Sequence, residues 1–140
     1  MSKTRIKSKK LKKRNLLTVS AVVILLLTAV LGFGVQKRTE KICARAEELL
    51  ENAVKSSEAG DFSAAEENAE RLMEFWDSKT AYFGLFYEHD TSARILEGIA
   101  RLAVYAEGEN IVSVKAEAET LRAQLNVLSK YDEVSGVNIV

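Results

Sequence analysis

The feature that most constrains this chain is an uninterrupted apolar run of twenty residues, Leu16 to Val35, without a single charged side chain. At ~1.5 Å rise per residue, a helix of this length reaches ~30 Å, which is the thickness of the hydrocarbon core of a bilayer. A secretory signal peptide has a shorter apolar core of ~7–15 residues and a small-residue cleavage site, to which Gly32-Phe33-Gly34 is a weak match. The run therefore predicts a transmembrane helix.

Charge is distributed unevenly around this run. Residues 1–35 contain eight Lys or Arg and no acid, whereas residues 36–140 contain twelve Lys or Arg against twenty Asp or Glu, a net charge of −8. Because positive charge is retained on the cytoplasmic side, we predict a basic cytoplasmic tail (1–15), a span (16–35) and an acidic extracytoplasmic domain (36–140), all in the cell membrane. Anionic lipid headgroups account for the basic tail, so the bilayer is an expected partner and nucleic acid is not.

The acidic part has the pattern of an all-α protein. It contains no Pro and one Cys, and its apolar residues recur at helical 3-4 spacing. Gly60 and Gly108 mark helix ends, Ser63 to Glu66 forms a capping box, and Asn110 can cap the last helix. We therefore predict an antiparallel bundle of about four helices, built as two helical hairpins with a tetratricopeptide-like turn at residues 60–65.

The two predicted hairpins resemble each other at an offset of 49 residues. This offset superimposes five apolar positions of one helix on five of the other: Phe62, Ala65, Ala69, Leu72 and Trp76 on Ile111, Val114, Ala118, Leu121 and Leu125. An internal duplication explains the match, and so does the general similarity of antiparallel helix pairs with glycine at their ends.

Six of the ten aromatic residues lie within thirteen positions, between Phe75 and Tyr87. A helix over residues 36–59 climbs ~36 Å and the next returns about as far, so this segment comes back toward the bilayer surface. We expect Trp76, Phe83 and Phe86 to pack in the core on one helix that runs from Phe62, which leaves Tyr82 and Tyr87 for lipid headgroups or a partner. Ordinary bundle packing of the whole cluster is the alternative.

Glu88-His89-Asp90 is the only cluster that suggests chemistry. Adjacent side chains diverge on a helix, and a metal site needs three or four ligands, so we predict no metal, no cofactor and no catalytic residue. His89 fits a hydrogen-bonded residue at a helix boundary, where we expect a break or a kink over residues 88–92. A pH-sensitive packing switch is the functional alternative.

The span, Trp76, the sequence Leu85-Phe86-Tyr87-Glu88-His89, the helix around Ile95 and Ile99, and the terminal Asn138-Ile139 together carry a resemblance. The chain resembles the uncharacterised bacterial family known as domain of unknown function 4363, found mainly in endospore-forming Firmicutes. It departs mildly from that pattern by ending in Val140 rather than an aromatic residue. The resemblance implies a small, membrane-anchored helical protein of Gram-positive origin without an assigned activity.

These observations favour a non-enzymatic interaction module that presents its acidic bundle to a protein partner. The negative charge of the bundle would attract a basic segment of that partner. One alternative is an accessory subunit that contacts a multi-pass membrane protein through its span, and another is a pH or metal sensor that depends on His89. Homo-oligomers are compatible with all three. The candidate interaction or packing positions are Trp76, Tyr82, Phe86, Tyr87, His89 and Asn138.

Overall fold

The computed structural model describes residues 2–87 and 89–130, with side chains described for residues 16–87 and 90–130. Every regular element in these ranges is a helix: α1 (Ser2–Glu58), α2 (Phe62–Asp77), α3 (Thr80–Phe86), α4 (His89–Glu107) and α5 (Ile111–Ser129). The all-helical class predicted from apolar spacing is therefore confirmed. The chain divides into two compact units, residues 1–36 and 37–140.

The first unit contains a helical segment that is long and apolar enough to cross a membrane, with a mean hydropathy of 2.7 over its most apolar window. None of that window is buried. Two hydroxyls within it bond to the helix's own backbone, where Ser20 donates to the Leu17 carbonyl and Thr28 to the Ile24 carbonyl, both at 2.9 Å. A helix that satisfies its polar groups internally is compatible with lipid.

The second unit is a four-helix arrangement in which the part of α1 from residue 37 onward, α2, α4 and α5 surround one core. Asn68 on α2 donates to Ser56 on α1 at 3.4 Å, α2 packs on α4, and α4 packs on α5. Ion pairs from Glu51 to Arg122 and from Glu58 to Lys115 connect α1 to α5. The buried residues include apolar positions at helical 3-4 spacing on three helices: Ile42, Ala46, Leu49, Ala53, Ile99, Leu102, Ala106, Val114, Ala118, Leu121, Leu125 and Leu128.

The turns that connect α1 to α2 and α4 to α5 have the same geometry. A left-handed residue, Gly60 (φ 76°) or Glu109 (φ 52°), ends the first helix, and the next residue caps the second. Asp61 accepts from the Ala64 backbone N–H and Asn110 from that of Ser113, both at 3.0 Å. The predicted cap at Asn110 is confirmed, whereas Ser63 lies inside α2 and its predicted capping role is wrong.

The offset of 49 residues also holds in three dimensions. Corresponding positions of α2 and α5 are buried in both hairpins, as are those of α1 and α4, including the pairs Ala65/Val114, Ala69/Ala118, Leu72/Leu121, Trp76/Leu125, Ala46/Ile95, Leu50/Ile99 and Ala53/Leu102. The two hairpins therefore follow one plan, and the buried face of each helix is set by the same positions.

The aromatic segment departs from the prediction of one continuous helix. α2 ends at Asp77, where the Ser78 and Lys79 N–H groups bond back to the Glu74 and Trp76 carbonyls, and α3 is a separate helix of seven residues. Tyr87 is extended (φ −134°, ψ 165°), so α4 begins afresh at His89 and the break expected in this region is present. In the short helix α3, Phe83 keeps its predicted buried position and Phe86 does not.

Candidate functional site

An open groove lies between α2 and α4 on the surface of the second unit. Its volume is about 660 Å³, within the range of ~300–1,000 Å³ that is typical of ligand sites. Four of its seven lining residues are carboxylates, and the other three are apolar: Glu70, Glu74, Asp77 and Glu97 with Met73, Leu96 and Ala100. This surface, the α2/α4 groove, presents negative charge around an apolar floor.

Helical spacing explains how the α2/α4 groove forms. Glu70, Met73, Glu74 and Asp77 follow the i, i+3, i+4, i+7 pattern, which places them on one face of α2. On α4, Leu96 and Ala100 are one turn apart and contribute the opposite wall. Met73 and Leu96 are only partly buried and pack against the edge of the core. The floor is therefore continuous with the core and still accessible from outside.

The three α2 carboxylates of the groove, Glu70, Glu74 and Asp77, take part in none of the ion pairs among the described side chains. Several carboxylates on the other faces of the bundle are instead paired with a nearby cation. Examples are the Glu58–Lys115 pair at 2.7 Å and the Glu117–Arg101 pair at 2.9 Å. The three α2 carboxylates therefore give the α2/α4 groove a negative charge that an approaching cation would meet.

These ion pairs shift the pKa values of their members in the expected directions. The hydrogen bond and charge of Lys115 lower the pKa of the Glu58 carboxyl, and the hydrogen bond and charge of Glu117 raise the pKa of the Arg101 guanidinium. Arg101 donates to Glu117 on α5, and the charge of Glu97 on its own helix contributes less to the raised pKa. Arg101 therefore joins two helices rather than stabilising one.

A second surface groove, of about 490 Å³, lies between α1 and α5 and contains the single cysteine. Cys43 is buried, and burial, together with the charge of Glu47, raises the pKa of its thiol to about 12. A thiol with such a pKa stays protonated at neutral pH and is a poor nucleophile or metal ligand. Among the described residues, no group of three or more His, Cys, Asp or Glu side chains is placed to hold a metal ion.

The aromatic residues form a cluster at the Thr39 end of the second unit. Trp76 and Phe83 are fully buried and their rings stack with centroids 4.8 Å apart. The Trp76 indole N–H donates to the Ser92 carbonyl at 3.1 Å, which attaches α2 to the first turn of α4. The core positions predicted for Trp76 and Phe83 are confirmed by this packing.

A buried threonine holds the other side of this aromatic cluster. The Thr39 hydroxyl lies 3.0 Å from the Tyr82 hydroxyl and 2.7 Å from the Tyr87 hydroxyl, across 43 and 48 residues of sequence. Arg38 adds a cation–π contact, with its guanidinium carbon 4.9 Å from the centre of the Tyr82 ring. Tyr82 and Tyr87 are thus partly buried and hydrogen-bonded to α1. They take part in the packing of the bundle, and their contact with lipid headgroups or a partner stays a prediction.

Phe86 is the predicted core residue that the structure contradicts. It is 53% exposed, and its neighbour Leu85 is 79% exposed. Phe86 is the last residue of the seven-residue helix α3 and precedes the extended Tyr87, so the buried 3-4 pattern holds as far as Phe83 and ends there. His89 is the first residue of α4, but its side chain lies outside the described side chains, and Asn138 lies outside the described residues.

Sequence reasoning missed Thr39 and the α2/α4 groove. No local signal marks Thr39, since its partners are more than forty residues away. The spacing of Glu70, Glu74 and Asp77 does place three carboxylates on one helix face, and it was the available signal for the groove. Which helix would supply the opposite wall does not follow from spacing.

Comparison with known proteins adds a family. Residues 33–139 match the profile of a domain of unknown function, DUF4363, over more than half of the chain. The chain belongs to the DUF4363 family. The DUF4363 region begins within the apolar run and includes Thr39, the aromatic cluster and both walls of the α2/α4 groove. No curated protein and no solved structure gives a significant match to the chain.

Proposed function

We propose that this DUF4363 protein is a membrane-anchored, non-enzymatic interaction module. Its bundle lies on the extracytoplasmic side and binds a basic, amphipathic segment of a protein partner in the α2/α4 groove. The single observation that carries the proposal is the meeting of three carboxylates outside any described ion pair with an accessible apolar floor. A segment with basic residues flanking an apolar face would complement both features.

The two parts of the groove would contribute differently to binding. Met73 and Leu96 offer apolar surface, and its burial supplies affinity of ~25 cal/mol per Å² before the cost of association. The carboxylates attract positively charged segments and disfavour acidic ones, so they set selectivity and association rate. The net charge of −8 on residues 36–140 acts in the same direction at longer range.

The test uses the full-length protein in phosphatidylcholine nanodiscs and a fluorescein-labelled Lys/Leu amphipathic peptide of eighteen residues as the probe. The groove variant is Glu70→Gln/Glu74→Gln/Asp77→Asn. The control is the triple variant Glu47→Gln/Glu107→Gln/Glu109→Gln, which removes the same number of negative charges outside the groove. Fluorescence anisotropy measures the Kd, with empty nanodiscs as the blank.

At ~0.5 kcal/mol for each rim charge, the groove variant is expected to weaken binding about tenfold, and the control less than threefold. An equal loss for both variants would mean that the peptide responds to net charge alone, and the groove would then not be the site. Unchanged binding by the groove variant would contradict the proposal outright.

Contact through the bilayer is the second candidate function, since Gly32 and Gly34 are small residues of the span and small residues permit close approach of another helix. Replacing residues 16–35 with an all-leucine span tests it. If the protein with this replacement no longer bound its partner although the groove was intact, the result would favour contact in the bilayer. Retention would favour the groove.

A further inference from the structure

The most exposed apolar side chains of the second unit include Leu85 and Phe86 on α3, which are 79% and 53% exposed. Two adjacent apolar residues at the end of a seven-residue helix are costly to leave in water. The Phe86 ring lies 5.2 Å from the Tyr82 ring, so the exposed pair continues the aromatic cluster described above. We call Leu85 and Phe86, with Tyr82 behind them, the α3 edge.

The residue that holds the α3 edge on α1 lies close in sequence to the apolar run. Thr39 follows Val35 by four residues, and four residues span at most ~14 Å even when fully extended. Thr39 is in turn hydrogen-bonded to Tyr82 and Tyr87, the residues on either side of Leu85 and Phe86. The α3 edge is therefore attached to α1 through a residue that follows the apolar run by only four positions in the sequence.

Its chemistry matches the boundary between headgroups and acyl chains. Apolar side chains enter the acyl region, tyrosine favours the interface, and basic residues contact lipid phosphates. Arg38 lies over the Tyr82 ring, and Lys41 is exposed one turn further along α1. This basic and aromatic composition contrasts with the acidic α2/α4 groove on the same unit.

We propose that the α3 edge inserts into the surface of the bilayer that anchors the protein, and so fixes the orientation of the bundle on the membrane. The proposal rests on the anchoring part of the proposed function, and not on the groove. Amphipathic segments at this boundary lie ~5–10 Å deep, and this is the depth that the proposal gives to Leu85 and Phe86.

Site-directed spin labelling tests this insertion on the full-length protein in nanodiscs of phosphatidylcholine and phosphatidylglycerol. A nitroxide is attached at Leu85→Cys, and Val112→Cys is the matched control because Val112 is 75% exposed. Val112 lies on α5 near the Glu58–Lys115 pair, and Glu58 is nineteen residues further along α1 than Thr39. Cys43→Ala removes the native thiol. A third label, at Leu26→Cys, reports on the apolar run itself.

The readout is the ratio of collision rates with oxygen, which concentrates in lipid, and with a water-soluble nickel chelate. We expect the collision-rate ratio of the Leu85 label to fall between the ratios of the Leu26 and Val112 labels. Access of the nickel chelate to the Leu85 label should be at least fivefold lower than to the Val112 label. Retained burial of Trp76, read from its fluorescence, verifies that each labelled chain is folded.

Two results would overturn the insertion. Nickel access at Leu85 equal to that at Val112 would place the α3 edge in water. Low access to both reagents would show that protein covers it. In either case, lipid-like access at Leu26 would leave the anchor intact, whereas water-like access at Leu26 would refute the anchor and thereby both proposals.

Discussion

Replacing Thr39 by valine removes the hydroxyl that joins α1 to Tyr82 and Tyr87, the residues on either side of Leu85 and Phe86. Valine keeps a similar side-chain shape. Thr39 is fully buried, and its oxygen lies 3.0 and 2.7 Å from two tyrosine hydroxyls. Each such bond contributes ~0.5–1.5 kcal/mol net, so the two together contribute ~1–3 kcal/mol. The extra apolar burial of valine offsets part of this, and the partly exposed tyrosines can turn toward water. We expect Thr39→Val to lower the free energy of unfolding by about 1–2 kcal/mol.

The single tryptophan makes this effect measurable in the intact chain. Trp76 is buried in the same cluster, so its fluorescence in detergent micelles follows urea unfolding of the bundle and not of the apolar run. A double-mutant cycle with Tyr82→Phe and Tyr87→Phe isolates each bond, and coupling of ~1 kcal/mol is expected for each pair. If Thr39→Val were as stable as the parent chain, or if both couplings were zero, the attachment of α3 to α1 through Thr39 would be refuted.

Three further predictions concern the turns, the thiol and a close helix contact. Only glycine adopts positive φ without strain, so Gly60→Ala is expected to lower the free energy of unfolding by about 1 kcal/mol and Glu109→Gly to raise it by up to about 1 kcal/mol. The urea midpoints of the two variants should shift in opposite directions. Burial raises the pKa of the Cys43 thiol to about 12, so the contribution of this thiol to stability is complete below its unfolded-state pKa and is lost as the pH rises from ~8.5 to 12. Iodoacetamide should label Cys43 at pH 8 only when urea unfolds the bundle. Gly98→Ala would place a Cβ 2.7 Å from a methyl carbon of buried Leu121, so overpacking of ~1–3 kcal/mol should exceed the gain in helix propensity of ~1 kcal/mol and lower the Tm.

The parts of the fold that follow from the sequence are those set by local spacing. Apolar residues three and four apart define the buried face of each long helix, and an offset of 49 residues relates the hairpins because both use the same positions. The cap at Asn110 was predictable from its residue type. The cap at Asp61 was mistaken for Ser63, because either side chain can cap and only the left-handed conformation of Gly60 decides between them.

The parts that do not follow are those decided by tertiary contact. No Gly or Pro marks the break at Ser78 and Lys79. Extending the helical period across it gives the buried position of Phe83 correctly, but it also gives a buried position for Phe86, which is exposed. The bonds from Thr39 to the tyrosines bridge more than forty residues and leave no periodic trace. The α2/α4 groove depends on which two helices are neighbours, and spacing within one helix cannot give that.

Site-specific photocrosslinking in the cells that make the protein tests the central claim most directly. A benzoylphenylalanine at Met73, in the floor of the α2/α4 groove, is compared with one at Val112, which is exposed on α5. Our account predicts an adduct at position 73 and not at 112, with the crosslinked partner segment carrying basic residues around an apolar face. An adduct with an acidic segment, or the same adducts from both positions, would contradict it.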